Sequence, residues 1–246
     1  MALNKAIVLA AGVGSRLRPL TDDRPKCLLE VGGRTILDRQ LDDLRHCGVT
    51  EVVAVVGYCS EQIRARYGDS VRYVANERYE QTNSLYSLWL ARQELMSGAL
   101  ILNSDVLAPR RLFERLLAAS APDAILVELG NAFEPEDMKV RLNGRRVVDF
   151  GKRLPQEQSH AHNVGVAKFC TEGARHLGEC LERLITTGHE NDWAPAAFRE
   201  FAAKWPLTAV DTDGLPWIEI DFVEDLTRAR VDIEPTFLAI ENTVCS

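Results

Sequence analysis

The apolar positions of the chain change period along its length. Four short runs, Ala6–Leu9, Val52–Val56, Val71–Val74 and Ala99–Leu102, are continuous rather than alternating. Continuous aliphatic runs of this length suit strands buried on both faces of a parallel sheet. Between them the period shifts toward that of a helix. Leu37, Leu41 and Leu44 share one helical face, and Gly48 is placed to end that helix. Leu85, Leu88, Trp89 and Leu95 predict a second helix with Thr82 or Asn83 as its cap. Leu112, Leu116 and Leu117 predict a third. Strand–helix–strand repetition predicts an α/β three-layer sandwich with a mostly parallel central sheet and right-handed crossovers.

The second half is more mixed. Ala124–Leu129 reads as a strand, and Met138–Leu142 and Arg145–Phe150 flank Asn143-Gly144, a hairpin turn signal. Asn163–Phe169 reads as a strand and roughly Gly173–Thr186 as a helix. Trp217–Ile220 predicts a short strand ending in Asp221, and Val223–Val231 a helix. No internal repeat or linker interrupts the pattern. One domain over residues 1–246 is expected, with halves at 1–120 and 121–246 and a small β-rich lobe in the second.

Composition narrows the class. Lys plus Arg number 29 and Asp plus Glu 36, for a net charge of −7. The hydrophobic and charged fractions are ordinary for a globular protein, so disordered and fibrous classes drop out. An acidic total argues against a surface built to grip nucleic acid. The six cysteines, Cys27, Cys47, Cys59, Cys170, Cys180 and Cys245, show no zinc-type spacing and read as reduced thiols. The apolar run after Lys5 is too short for a leader, and no run reaches the roughly 18 residues that span a bilayer. A cytoplasmic protein with no membrane contact is expected.

The charge is unevenly spread. Met1–Thr35 holds six cations against three acids, a local surplus of +3, so the remainder carries −10. That surplus surrounds Leu9-Ala10-Ala11-Gly12-Val13-Gly14-Ser15-Arg16, directly after the first strand. Glycines there let backbone N–H groups approach an anion. A Walker A loop would need Gly-Lys-Ser/Thr, and a dinucleotide fingerprint would need glycine where Leu17 stands.

From Leu9 to Lys26 the chain resembles the signature of the nucleotidyltransferases that make nucleoside-diphosphate sugars and CDP-alcohols. The resemblance continues at Asn103-Ser104-Asp105, at Lys139 and Lys152 on the hairpin, and at Trp217–Asp221. It implies the nucleotide-diphospho-sugar transferase fold, with the first half binding nucleotide and the second the acceptor. It implies a phosphate or phosphonate attacking the α-phosphorus of an NTP and expelling pyrophosphate. Such a nucleophile is already ionised, so positioning and cationic charge carry the catalysis. Arg16 and Lys26 would contact the triphosphate, and Lys152 completes the catalytic set. Lys139 would help hold the acceptor. Leu9, Ala10, Ala11, Gly12, Gly14 and Ser15, with Thr82, Asn83 and Ser84, would bind the nucleotide. Asp105 and Asp221 each end a predicted strand and suit Mg²⁺, which takes one or two carboxylates plus phosphate oxygens. Glu219, facing away from its immediate neighbour, reads as structural.

Within that group, Asn76-x-x-Tyr79-x-x-Thr82-Asn83-Ser84-x-Tyr86-Ser87-Leu88 is similar to the bacterial choline-phosphate and aminoalkylphosphonate cytidylyltransferases. CTP and an acceptor like phosphocholine, phosphoethanolamine or 2-aminoethylphosphonate are the expected partners, and a homodimer is left open. Tyr86, Trp193 and Trp217 are candidates to face a cationic acceptor. A sugar-1-phosphate nucleotidylyltransferase using UTP, dTTP or GTP is the nearest rival. A catalytically silent nucleotide-binding regulator is the rival of another class.

Overall fold

The computed structural model describes residues 3–242, which leaves Cys245 outside the described residues. The first strand, β1 (Lys5–Ala10), leads into the glycine-rich loop. A small hairpin, β2 (Glu30–Val31) and β3 (Arg34–Thr35), precedes α1 (Ile36–His46), whose start is fixed by reciprocal bonds between Thr35 and Asp38. Then follow β4 (Glu51–Val56), α2 (Ser60–Tyr67) and β5 (Arg72–Ala75). The second predicted helix is broken at Ala91 into α3 (Ser84–Leu90) and α4 (Arg92–Leu95), and Asn83 is its cap residue. Next come β6 (Ala99–Asn103), β7 (Val106–Leu107) and α5 (Arg110–Ala118).

The second half supplies β8 (Ala124–Leu129), the hairpin β9 (Lys139–Asn143) and β10 (Arg146–Gly151), and β11 (Ala161–Phe169). After α6 (Thr171–Thr186) and α7 (Pro195–Lys204) the chain adds β12 (Thr208–Asp211) and β13 (Ile218–Glu219). It closes with α8 (Val223–Arg228), a π-helical turn and α9 (Glu234–Asn242).

Nine strands form one sheet in the order β5-β4-β1-β6-β11-β8-β12-β10-β9. The first four run parallel, as their continuous apolar runs predict. From β11 onward the sheet is mixed, with one parallel pair, β8 and β12. The β9–β10 hairpin continues this sheet and folds back onto β11, so the β-rich portion is joined to the central sheet rather than set apart.

Side chains of β1 alternate between two cores. Ile7 and Leu9 pack with Leu85, Leu88, Leu177 and Phe201 on the side of α3, α6 and α7. Ala6, Val8 and Ala10 pack with Leu37, Leu41 and Leu112 on the side of α1 and α5. Both faces are dry, which is why these strands carry no polar alternation. A third cluster, including Leu17, Leu29, Ile218, Ile220 and Phe237, anchors the glycine-rich loop to β13 and α9.

Candidate active site

The parallel strands open at their C-terminal ends into a cleft of about 450 Å³, the edge where open α/β sheets bind ligands. The glycine-rich loop forms one wall. Gly14 has φ +65°, and a Cβ there would sit 3.2 Å from Lys26 Cβ, so glycine is needed for both the turn and the packing. Thr21 Oγ1 donates to the Gly14 carbonyl at 2.8 Å, and Leu17 is fully buried beneath. A Cβ on Gly12 would meet no protein atom within 4 Å, so this position opens onto the cleft.

Lys26 sits at the cleft floor. Its Nζ donates to Asp105 Oδ2 at 2.9 Å and to Asp221 Oδ1. Burial disfavours the ammonium, but the Asp105 and Asp221 charges outweigh that and raise its pKa. Burial likewise opposes charge on Asp221, yet Lys26 and Arg16 hold its carboxyl below the usual range. Arg16 donates to Asp221 Oδ2 at 2.6 Å, lies 3.5 Å from Glu136, and spreads its guanidinium 4.8 Å from the Phe222 ring centre.

Two distant carboxylates meet because two short strands do. β13 pairs antiparallel with β7, setting Ile218 against Leu107 and Glu219 against Val106, and Ile220 N–H donates to the Asp105 carbonyl at 3.0 Å. Glu219 comes with them. One oxygen each from Asp105, Glu219 and Asp221 lie within 4.8 Å of one another. Glu219 and Asp221 are two residues apart, and Glu219 lines the cleft beside the two aspartates. Glu219 is pushed up to about 8, by lost solvation first and then by the Asp105 and Asp221 charges. Asp105 Oδ1 is buried with no hydrogen-bond partner. An orphaned carboxylate oxygen among three acids fits a hard cation such as Mg²⁺.

The opposite wall is the Asn76–Ser87 segment. Asn76 Nδ2 donates to Thr82 Oγ1 at 3.1 Å and to Ser87 Oγ at 3.0 Å, and Thr82 Oγ1 donates to the Arg78 carbonyl at 2.8 Å. Asn83 Oδ1 accepts from Ser84 N–H, and Ser84 Oγ accepts from Ala194 N–H at 2.9 Å. Thr82, Asn83 and Ser84 therefore line the cleft with side chains already engaged in holding the segment. Elsewhere on the cleft wall, Lys152 Nζ bridges to Glu136 at 2.9 Å and lies 4.6 Å from the Trp193 ring centre.

Of the predicted residues, Leu9, Ala11, Gly12, Gly14, Ser15, Arg16, Lys26, Thr82, Asn83, Ser84, Asp105, Lys152, Trp193 and Asp221 line this one cleft. Four are placed elsewhere. The Ala10 side chain is buried in the core beside α1, which does not bear on the backbone groups expected to meet the base. Lys139 is buried, and its ammonium donates to the Lys152 carbonyl, so it holds the backbone of the lysine that does face the cleft. Tyr86 stacks on Trp89 at 5.3 Å and under Arg78 at 5.0 Å, outside the cleft. Trp217 packs against the core beside α1. Glu136, Glu219 and Asn163 line the wall without having been expected there.

The cleft thus sets a glycine-rich loop bearing cations against a cluster of three carboxylates at the C-terminal edge of the sheet. A model of the MobA-like NTP transferase domain matches residues 6–168, and the chain belongs to that family of nucleotidyltransferases. It is 27% identical to the CTP:phosphoglutamine cytidylyltransferase of Campylobacter jejuni, over 90% of this chain and 97% of that one. It is 40% identical to the CMP-5'-(3-aminopropyl)phosphonate synthase of Streptomyces rubellomurinus, over 94% of this chain but only 39% of the longer relative. The fold is that of the CTP:phosphocholine cytidylyltransferase of Streptococcus pneumoniae, with a TM-score of 0.76 at 24% identity, covering 94% of this chain and 98% of that one. No helix among the described residues is long and apolar enough to cross a membrane.

Proposed function

We propose that the chain is a Mg²⁺-dependent cytidylyltransferase that moves CMP from CTP to a small phosphate or phosphonate and releases pyrophosphate. The observation that carries this is the meeting in one cleft of three cations, Arg16, Lys26 and Lys152, with three carboxylates, Asp105, Glu219 and Asp221. The choice of CTP rests on the relatives, whose names specify cytidylyl transfer or a CMP product.

In this reading the acceptor's phosphorus oxygen forms the new bond to the α-phosphorus as the bond to pyrophosphate breaks. No side chain needs to take a proton from the acceptor. Backbone N–H groups of the Gly12–Ser15 loop and the Arg16 guanidinium hold the triphosphate. Lys26, already desolvated and ionised, neutralises charge at the α-phosphorus without reorganisation in the transition state. Lys152 holds the acceptor's anionic head beside it. Asp105, Asp221 and Glu219 would hold Mg²⁺, which supplies charge neutralisation on phosphate oxygens.

The test is pyrophosphate release from each NTP with phosphocholine, phosphoethanolamine, 2-aminoethylphosphonate and hexose 1-phosphates, with and without Mg²⁺. Turnover is expected with CTP and a small non-sugar acceptor. Turnover of UTP or dTTP with a hexose 1-phosphate, and none with CTP, would overturn the reading. Nucleotide binding without turnover of any pair would instead mark a silent regulator.

A further inference from the structure

Helix α1 turns a stripe of Leu37, Leu41 and Leu44 into the core, and Gln40 stands in the middle of it, only 3% exposed. A buried amide among leucines is costly unless its polar atoms are bonded. Gln40 Nε2 directs both of its hydrogens at one turn, donating to the Asn103 carbonyl at 2.9 Å and to the Val106 carbonyl at 2.8 Å. Its Oε1 is buried with no hydrogen-bond partner. The amide cannot be turned over, because that would set Oε1 against two carbonyl oxygens. Packing of the core alone does not call for such a group.

The two carbonyls bracket Ser104-Asp105, the turn between the end of β6 and the start of β7. Other elements hold the same turn. Ser104 N–H donates to the Leu9 carbonyl at 3.2 Å, and Ile220 N–H to the Asp105 carbonyl at 3.0 Å. Strand β11 closes against it at Gly165, with φ +84°, where a Cβ would lie 2.8 Å from Asn103 Nδ2 and 3.1 Å from Val106 Cγ2. The Asp105 carboxylate is less firmly held. Its Oδ2 accepts from Lys26, and its Oδ1 has no partner. When Lys26 turns to a phosphate, the backbone of the turn is what aims this carboxylate.

We propose that Gln40 is a positioning residue for the cation site: by clamping both ends of the turn it fixes the backbone that aims the Asp105 carboxylate at Mg²⁺. This role rests on the reading of Asp105, Glu219 and Asp221 as a Mg²⁺ site. Gln40 bonds to backbone and to none of the three carboxylates, so it acts through Asp105 alone. Without the clamp two buried carbonyls lose their donor and the turn is free to rotate. Rotation would carry the Asp105 oxygens away from the cluster whose members now lie within 4.8 Å of one another. Groups that orient a metal ligand through a hydrogen bond typically carry roughly 10–100-fold in metal affinity.

The experiment titrates Mg²⁺ calorimetrically into the nucleotide-free full chain. Gln40→Met keeps the side-chain volume and removes the donors, and should raise the Kd for Mg²⁺ roughly tenfold. Gln40→Asn keeps the amide but falls one methylene short of the turn, and should do the same. Leu44→Ala lies on the same buried stripe and makes no bond to the turn. It should lower the urea midpoint and leave the Kd within about twofold of wild type. An unfolded fraction lowers the stoichiometry of the titration and not the Kd. The Mg²⁺ concentration for half-maximal pyrophosphate release should rise in the Gln40 variants alone. A wild-type Kd in both Gln40 variants, or a Kd raised as far in Leu44→Ala, overturns the inference while leaving the Mg²⁺ site standing. No Mg²⁺ uptake by the wild type overturns the Mg²⁺ site, and the inference with it.

Discussion

Replacing Lys26 by methionine keeps the stem that packs against Gly14 and deletes only the ammonium. That ammonium is held by Asp105 at 2.9 Å and by Asp221, on a side chain 11% exposed. Deleting one preorganised charge stabiliser costs roughly 10²–10³ in kcat, about 2.7–4 kcal/mol of barrier. Stability should move less. Removing one partner of a fully buried ion pair costs about 3–5 kcal/mol. Here the Asp105 and Asp221 side chains are 21% and 24% exposed. Water can solvate them in part, so about 1–2 kcal/mol is expected. Lys26 also competes for the carboxylates that Mg²⁺ would use. Lys26→Met should therefore bind Mg²⁺ alone about tenfold more tightly, a gain of about 1.4 kcal/mol. Steady-state pyrophosphate release reads the first effect, urea denaturation the second and calorimetric Mg²⁺ titration the third. A kcat within about threefold of wild type would refute the role of Lys26 in the reaction. An unchanged Mg²⁺ affinity would refute the competition.

Three further predictions test other parts of the site and scaffold. Gly12→Val adds side-chain atoms where no protein atom lies within 4 Å of a Cβ. Stability should stay within about 0.5 kcal/mol while KM for CTP rises roughly tenfold, and an unchanged KM would show that nucleotide does not occupy that space. Glu219→Gln should raise the Mg²⁺ concentration for half-maximal activity roughly tenfold, and an unaltered Mg²⁺ dependence would remove Glu219 from the site. Burial would raise the pKa of Asp38, but Arg66, Thr35 and Tyr67 outweigh it and hold the carboxyl at about 2. A depressed folded-state pKa stabilises the protein above the unfolded value of about 3.9, and that contribution is lost as pH falls toward 2. Asp38→Asn should therefore be less stable by about 1–2 kcal/mol at pH 7, with the gap closing between about pH 4 and 2. A gap that does not change with pH in denaturant melts would refute this.

Much of the architecture was legible because the first-half strands are buried on both faces and their helices carry clear apolar stripes. Some of what was missed lacked such a stripe, although α7, which buries Ala197, Phe198, Phe201 and Ala202, carries one and was missed as well. Helix α2 buries only Ile63, so its sequence shows no periodic face. Strand β12 is four residues long and takes its place by pairing with β8, a partner remote in sequence. The break at Ala91 interrupts a helix whose apolar spacing continues across it.

The site divides the same way. The sequence by itself determined the glycine-rich loop, the cationic surplus of its first residues, and the acids at the ends of apolar runs. These are local properties, set by backbone freedom and side-chain type at neighbouring positions. Only the tertiary structure decided which of them meet. Asp105 and Asp221 converge through the register of β7 on β13, and that register carries Glu219 in with them. Lys139 opens β9 and Lys152 directly follows β10 of the same hairpin, and their packing turned one inward to a carbonyl and the other toward Trp193. Glu136 gave no signal of its own, because its meaning lies in two cations brought to it from other strands and loops. Local propensity falls off within a few residues, whereas a cleft is made of contacts between distant ones.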